Sequence, residues 1–329
     1  MWQPGYIRLA QAGELAACAS RLAQSLEACS LCPHECQASR RTGARGRCMS
    51  GILPIVSAYC LHVGEEPALG GSRGVGNIFL GNCNAACVYC QNFEISQRPG
   101  HEVAYEVSTA RLADIMLELA AGGAASIGFV SPSHFAAQVI EAVDIATARG
   151  LSLPLIYNSN GYDSVATLRM LEGVFDIYLP DLRYASAAAA AKYSGLPGYP
   201  RIARAAIREM ARQVGLRLVF GDDGLVKRGL IIRLLVLPND ISGTEESLSW
   251  IAEDLGTEVS ISVMSQYYPA NRAQDFPELA RGVTLEEYDR VVRAVDSLGF
   301  SNGWVQEFAS GEQYRPDFSD RRMPFKSSV

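Results

Sequence analysis

Cys83, Cys87 and Cys90 fall within the stretch CNAACVYCQN, and Cys29, Cys32, Cys36 and Cys48 have the spacing C-x2-C-x3-C-x11-C. Two tight groups of cysteines favour metal binding over a disulfide framework. Thiolates select soft metals, above all zinc and iron–sulfur clusters. The four-cysteine group is a closed set that suits tetrahedral zinc or an auxiliary iron–sulfur cluster, with unliganded buried cysteines as the remaining reading, and its spacing does not separate the first two. The triplet is one thiolate short of closure. An open coordination position marks a metal centre that binds its substrate directly, so the fourth ligand is either another residue or a substrate. Cys18 and Cys60 stand alone and read as small buried apolar residues.

Such groups need a scaffold that holds them at one place. From about residue 76, short β-branched runs alternate with longer amphipathic stretches. Strands are predicted over 77–81, 126–130, 153–158, 175–180, 230–237 and 259–264, and helices over 109–121, 134–149, 164–171, 199–214, 244–255 and 285–298. The strands are apolar enough to be covered on both faces. This alternation predicts an α/β fold with a parallel sheet and right-handed crossovers, either doubly wound or curled into a partial (β/α)6 TIM-like barrel. Chemistry then belongs at the C-terminal ends of the strands, where the sequence is polar: Asn82 and Cys83, Ser131 to His134, Asn158 to Tyr162, Asp181 to Arg183, Asn239 and Asp240, and Ser265 to Tyr268.

Residues 1–70 lack that rhythm and read as a cysteine-containing N-terminal extension with a helix over about 10–29; residues 71–300 form the barrel and 301–329 a C-terminal tail. The run AAAAA at 187–191 favours helix. A formal net charge of −6 over 329 residues argues against a footprint for nucleic acid or an anionic membrane. No stretch reaches the roughly 18 apolar residues that span a bilayer, and a cytoplasmic location is expected.

The pattern Cys-x3-Cys-x-aromatic-Cys, here CNAACVYC with Tyr89 as the aromatic, resembles the signature of the radical S-adenosylmethionine superfamily. The resemblance implies that Cys83, Cys87 and Cys90 hold a [4Fe-4S] cluster whose fourth iron is chelated by S-adenosylmethionine. Reductive cleavage of the C5′–S bond would then yield a 5′-deoxyadenosyl radical, with the protein aiming it and excluding water. Further stretches resemble the branch close to the activating enzymes of pyruvate formate-lyase and other glycyl-radical enzymes, including SLCPHEC, LHVGEEPALGGSRGVGNIF, IYNSNGYDSVATLRMLEGVFDIYLPDLRY and VSISVMSQYYP. That branch implies hydrogen abstraction from a glycine of a partner protein and an electron donor of the flavodoxin or ferredoxin type. The alternatives are radical modification of a small molecule or peptide and, from another class, a non-catalytic electron carrier or a zinc-stabilised scaffold.

One departure concerns the Gly-Gly-Glu-Pro type loop that receives the cosubstrate's amino group in activating enzymes: the corresponding stretch here is SPSH, residues 131–134. Ser131 and Ser133 leave backbone carbonyls for that task, while His134 is a hydrogen-bond donor, a proton relay or a helix-start residue. Asn158 and Asn160 bond the ribose or carboxylate, or serve the bends around Gly161. Asp181 lines the site or caps the next segment. Arg233 interrupts an apolar strand, where an unpaired charge is costly, and is expected to face the interior and meet a carboxylate. Gln266, at the sixth strand end, completes the set. His62, Glu65 and Glu66 read as structural, with the barrel's mouth as the other placement, and Arg40, Arg41, Arg45 and Arg47 read as a solvated face.

Overall fold

A computed structural model describes residues 2–308, 315–321 and 324–325. Nine strands build one sheet: β1 (Val56–His62), β2 (Val75–Leu80), β3 (Ile127–Val130), β4 (Leu155–Ser159), β5 (Ile177–Pro180), β6 (Val219–Phe220), β7 (Val226–Leu235), β8 (Ser260–Met264) and β9 (Gly303–Val305). Their order is β1-β2-β3-β4-β5-β7-β8-β9, with β6 paired to β7. All neighbours from β2 to β9 along that path run parallel, whereas β1 is antiparallel to β2 and β6 to β7. No pairing joins β1 to β9 among the described residues, so the sheet ends in two edges there.

The six predicted strands are present as β2, β3, β4, β5, β7 and β8. Helices Thr109–Ala121, Tyr199–Val214 and Leu285–Leu298 occupy the predicted spans, and Ala136–Ala148, Val165–Met170 and Thr244–Asp254 begin or end within two residues of theirs. Thr109–Ala121 packs an apolar stripe of Leu112, Ile115, Met116 and Leu119 against β1, β2 and β3, and Tyr199–Val214 lies on β5 and β7. The alanine run opens the helix Ala187–Ser194, capped by the Ser186 side chain. Among the described residues no helix is long and apolar enough to cross a membrane.

Three expectations change. The single N-terminal helix is two, Gly5–Gln11 and Glu14–Gln24, because Gly13 between them takes φ 74° and turns the chain. The segment expected as an extension contributes β1 to the sheet, and the segment expected as a tail contributes β9. Arg40 is no part of a solvated face: it is 1% exposed and donates from Nε to the Gly51 carbonyl at 2.9 Å and from Nη1 to the His134 carbonyl at 2.6 Å. Two buried carbonyls and the Phe135 ring, 5.3 Å away, hold its guanidinium inside. Arg41, Arg45 and Arg47 are exposed.

Candidate functional site at the strand ends

The chain leaves β2 through Asn82 at φ 61° and β3 through Ser131 at φ 58°. A left-handed residue costs about 1–3 kcal/mol outside glycine, and here it turns both strand ends abruptly toward one cleft. Gly161, at φ 77°, completes the turn after β4: a Cβ there would run into the Asp181 carbonyl oxygen, so glycine lets the β4 and β5 ends meet. The Tyr199 hydroxyl ties that junction, lying 2.8 Å from the Asn160 carbonyl and 2.9 Å from the Asp181 carbonyl while accepting from the Arg183 N–H at 2.9 Å.

The cysteine loop packs against the end of helix Ala187–Ser194, with Ala86 N–H donating to Ser194 O at 2.9 Å and Val88 N–H to Tyr193 O at 2.8 Å. Cys83, Cys87 and Cys90 line an open volume of about 480 Å³ together with Ser131, Asn160 and Arg183. The sulfurs have donors aimed at them. Cys87 Sγ accepts from Ser194 Oγ at 3.0 Å and from Arg183 Nη1 at 3.5 Å. Cys83 Sγ accepts from Ala85 N–H at 3.4 Å and Asn160 Nδ2 at 3.5 Å, and Cys90 Sγ lies 3.3 Å from Ser96 Oγ. Burial pushes the Cys83 thiol up and the Cys90 thiol up to about 12. Among the described residues no three or more Cys, His, Asp or Glu side chains converge as for a single metal ion.

An adjoining cleft of about 1030 Å³ brings Tyr89, Ser131, Asn158, Asn160, Asp181, Arg233 and Gln266 to one place, together with Cys90. Asn160 serves the bend around Gly161 and also braces the cysteine loop. Its Oδ1 accepts from Tyr162 N–H at 2.9 Å and its Nδ2 donates to Asn84 Oδ1 at 2.7 Å, which holds the cysteine loop to the β4 end. Asp181 accepts from Arg183 at 2.5 Å. Gln266 accepts from Gln306 at 3.0 Å. Ser133 and His134 lie outside this lining. Ser133 donates to Asp163 at 2.5 Å, beside Tyr157 and Ser159, which donate to the same buried carboxylate. His134 is fully buried with Nε2 2.9 Å from the Gly81 carbonyl.

Arg233 meets acids, as its place in an apolar strand required: Nη1 is 3.4 Å from Glu65 Oε2 and Nε 3.2 Å from Glu66 Oε1. His62 and Glu65 line the cleft, so this group stands at the mouth. Burial opposes the charge on Arg233, and Glu66 and Glu65 outweigh it, holding the guanidinium above its ordinary range. Burial raises Glu66, while at Glu65 the opposite pull of Arg233, His62 and Asn77 wins.

Arg183 stood in the sequence only as the end of a polar strand-end run, with no role of its own. It borders both volumes, and Asp181 with the Cys87 sulfur overcomes burial to raise its pKa. A cation two residues beyond an acid at a strand's C-terminal end was the available signal.

The four remaining clustered cysteines lie in one neighbourhood, near enough to feel one another's charge without converging on a point. Cys36 and Cys29 are close enough to influence one another, and the Cys32 thiol, pushed up to about 12 mainly by burial, feels Cys48, Cys29 and Cys36. A Cβ on Gly46 would run into Cys36 Sγ. His34 Nε2, 2.7 Å from the Asn84 carbonyl, ties this loop to the triplet's. Of the lone cysteines, Cys18 is buried, with Sγ 2.9 Å from the Met170 carbonyl, and Cys60 is half-buried on β1.

Fold and site define an α/β chain with a mostly parallel sheet and a polar, thiol-bearing cleft at its strand ends. No family model matches it. Among curated proteins it is similar to two from Methanocaldococcus jannaschii named as uncharacterized. MJ0674 is 28% identical over 277 residues, spanning 82% of this chain and 74% of the relative, and MJ0808 is 22% identical over 285 residues, spanning 79% and 78%. Among solved structures, methylornithine synthase (PylB) aligns with a TM-score of 0.41 and 13% identity over 86% of this chain and 72% of its own.

Proposed function

We propose that the chain is a radical S-adenosylmethionine enzyme that holds a [4Fe-4S] cluster on Cys83, Cys87 and Cys90. The observation that carries this reading is the placement of three thiols on one loop after β2, around an open volume that adjoins a cleft walled by cations and amides. The residues fit the group. Three thiols supply the soft donors, N–H and O–H groups aim at their sulfurs, and Arg183 Nε is buried without a hydrogen-bond partner among the described residues. A zwitterionic cosubstrate offers a partner to such an atom.

When bound and reduced, the cluster and cosubstrate would supply a carbon-centred radical that takes a hydrogen atom. The chain's own residues orient and shield. Arg183 and Arg233 present positive charge for a carboxylate, the Ser131 carbonyl and Glu65 present negative charge for an ammonium, and Asn158 offers an amide to the ribose. Met264, Leu235 and Phe79 line the same cleft and exclude water.

The finer reading is activating-enzyme-like abstraction from a glycine of a partner protein, fed by a flavodoxin or ferredoxin. Its support is a second opening, bounded by the 64–67 loop and β9, that shares Glu65, Arg233, Met264 and Gln266 with the cleft. Mixing the loaded enzyme with a glycyl-radical protein and recording the EPR spectrum tests it. A glycyl doublet supports the reading, and cleavage without a doublet favours a small-molecule or peptide substrate. The four N-terminal cysteines hold zinc or a second cluster in this proposal, and metal analysis decides between them.

A further inference from the structure

We infer that Tyr89, Tyr184 and Ser194 form a one-way chain of hydroxyl donors that ends on Cys87 and raises the electron affinity of the cluster bound there, with Ser194 as the positioning residue. This rests on the reading of the triplet as a cluster site. Tyr89 OH donates to Tyr184 OH at 2.7 Å, Tyr184 OH lies 2.7 Å from Ser194 Oγ, and Ser194 Oγ lies 3.0 Å from Cys87 Sγ. All three residues are buried, at 3%, 0% and 0% exposure.

Each hydroxyl has one proton, so the bonds at the two ends fix the middle one. Tyr89 gives its proton to Tyr184 and Ser194 gives its proton to sulfur; Tyr184 must therefore donate to Ser194. Every hydroxyl points the same way, toward the thiolate, and hydrogen bonds in such a chain strengthen one another. A serine at the end of a helix ordinarily turns back to a carbonyl of the preceding turn. Ser194, the last residue of Ala187–Ser194, reaches sulfur instead.

The three thiols are not equivalent. Cys87 has the shortest donor and a guanidinium, whereas the donors at Cys83 and Cys90 stand 3.3 Å or farther away. Reduction adds one electron from an external low-potential donor, with no bond broken and no proton moved, and the added negative charge spreads onto the thiolates. Hydrogen bonds to cluster sulfurs stabilise that charge and raise the reduction potential. The far end of the chain, Tyr89, borders the cleft.

The test is potentiometric titration, followed by EPR, of the full chain loaded anaerobically with iron and sulfide and without cosubstrate. At equal iron content, Ser194→Ala is expected to shift the midpoint to a more negative potential, and Tyr184→Phe to shift it the same way by less. Tyr89→Phe shifts it least, and Ser194→Thr keeps the wild-type value. The two phenylalanine variants each remove a single oxygen, so they decide the matter even where Ser194→Ala loads poorly. A midpoint in Tyr184→Phe equal to that of the wild-type cluster overturns this inference and leaves the proposed function standing. A wild-type chain that holds no reducible cluster overturns both.

Discussion

The Arg183 guanidinium stands between Asp181 Oδ2, at 2.5 Å, and Cys87 Sγ, at 3.5 Å. One side chain thereby joins the thiol loop to the polar wall of the cleft. The acid orients the cation, and the cation faces both the sulfur and the space a carboxylate would take.

Arg183→Gln keeps a donor but removes the charge and the fork. Outer partners of a metal site typically contribute about 10–100-fold to affinity or activity, and a loss of that size is expected in 5′-deoxyadenosine formation, with iron content close to wild type. Cosubstrate titration of the reduced protein by EPR checks whether the loss lies in binding.

Arg233→Met should destabilise the fold by about 3–5 kcal/mol, since it strands the carboxylates of Glu65 and Glu66 inside the protein. Urea unfolding measures this. Adding Glu65→Gln and Glu66→Gln to Arg233→Met should return most of the loss, because neutral amides carry no uncompensated charge.

Much of this was readable from sequence, for identifiable reasons. The runs that became β3, β4, β5, β7 and β8 are apolar on both faces because one face packs under the helices while strand residues such as Ile156, Ile177, Leu179 and Ile231 fill a second core, and the cysteine spacings advertise themselves. β1 was not readable: VSAYCLH lies beside turn-rich sequence and is an antiparallel edge strand held by pairing with β2. β9 has three residues, too few for any period, and exists through its ladder to β8. At the site, Arg233 was legible because a charge within an apolar strand demands a partner, but the partners, Glu65 and Glu66, lie more than 160 positions away in sequence. The Ser194 and Tyr184 hydroxyls were invisible for the same reason, since only the fold brings them to Cys87.

His134 sets a pH dependence. Burial, reinforced by the nearby Arg40 charge, lowers its pKa from 6.5 to about 4. The unfolded chain therefore binds a proton near pH 6.5 that the folded chain refuses until about pH 4. Stability from this residue is complete above pH 6.5 and falls as the pH drops through that window, by about 3 kcal/mol in all. Unfolding free energies at pH 7, 5.5 and 4.5 should decline in wild type and flatten in His134→Gln, which keeps a donor for the Gly81 carbonyl. Equal slopes in the two proteins would contradict the assignment.

The central claim is that Cys83, Cys87 and Cys90 hold a cluster that cleaves S-adenosylmethionine. The most direct measurement is 5′-deoxyadenosine formed by the anaerobically loaded and reduced chain, beside a Cys83/Cys87/Cys90→Ala variant assayed for iron and zinc in parallel. The account predicts product from the intact chain and none from the variant, whose remaining metal then reports on Cys29, Cys32, Cys36 and Cys48. Equal product from both proteins, or none from a chain carrying a fully loaded, reducible cluster with bound cosubstrate, would contradict it.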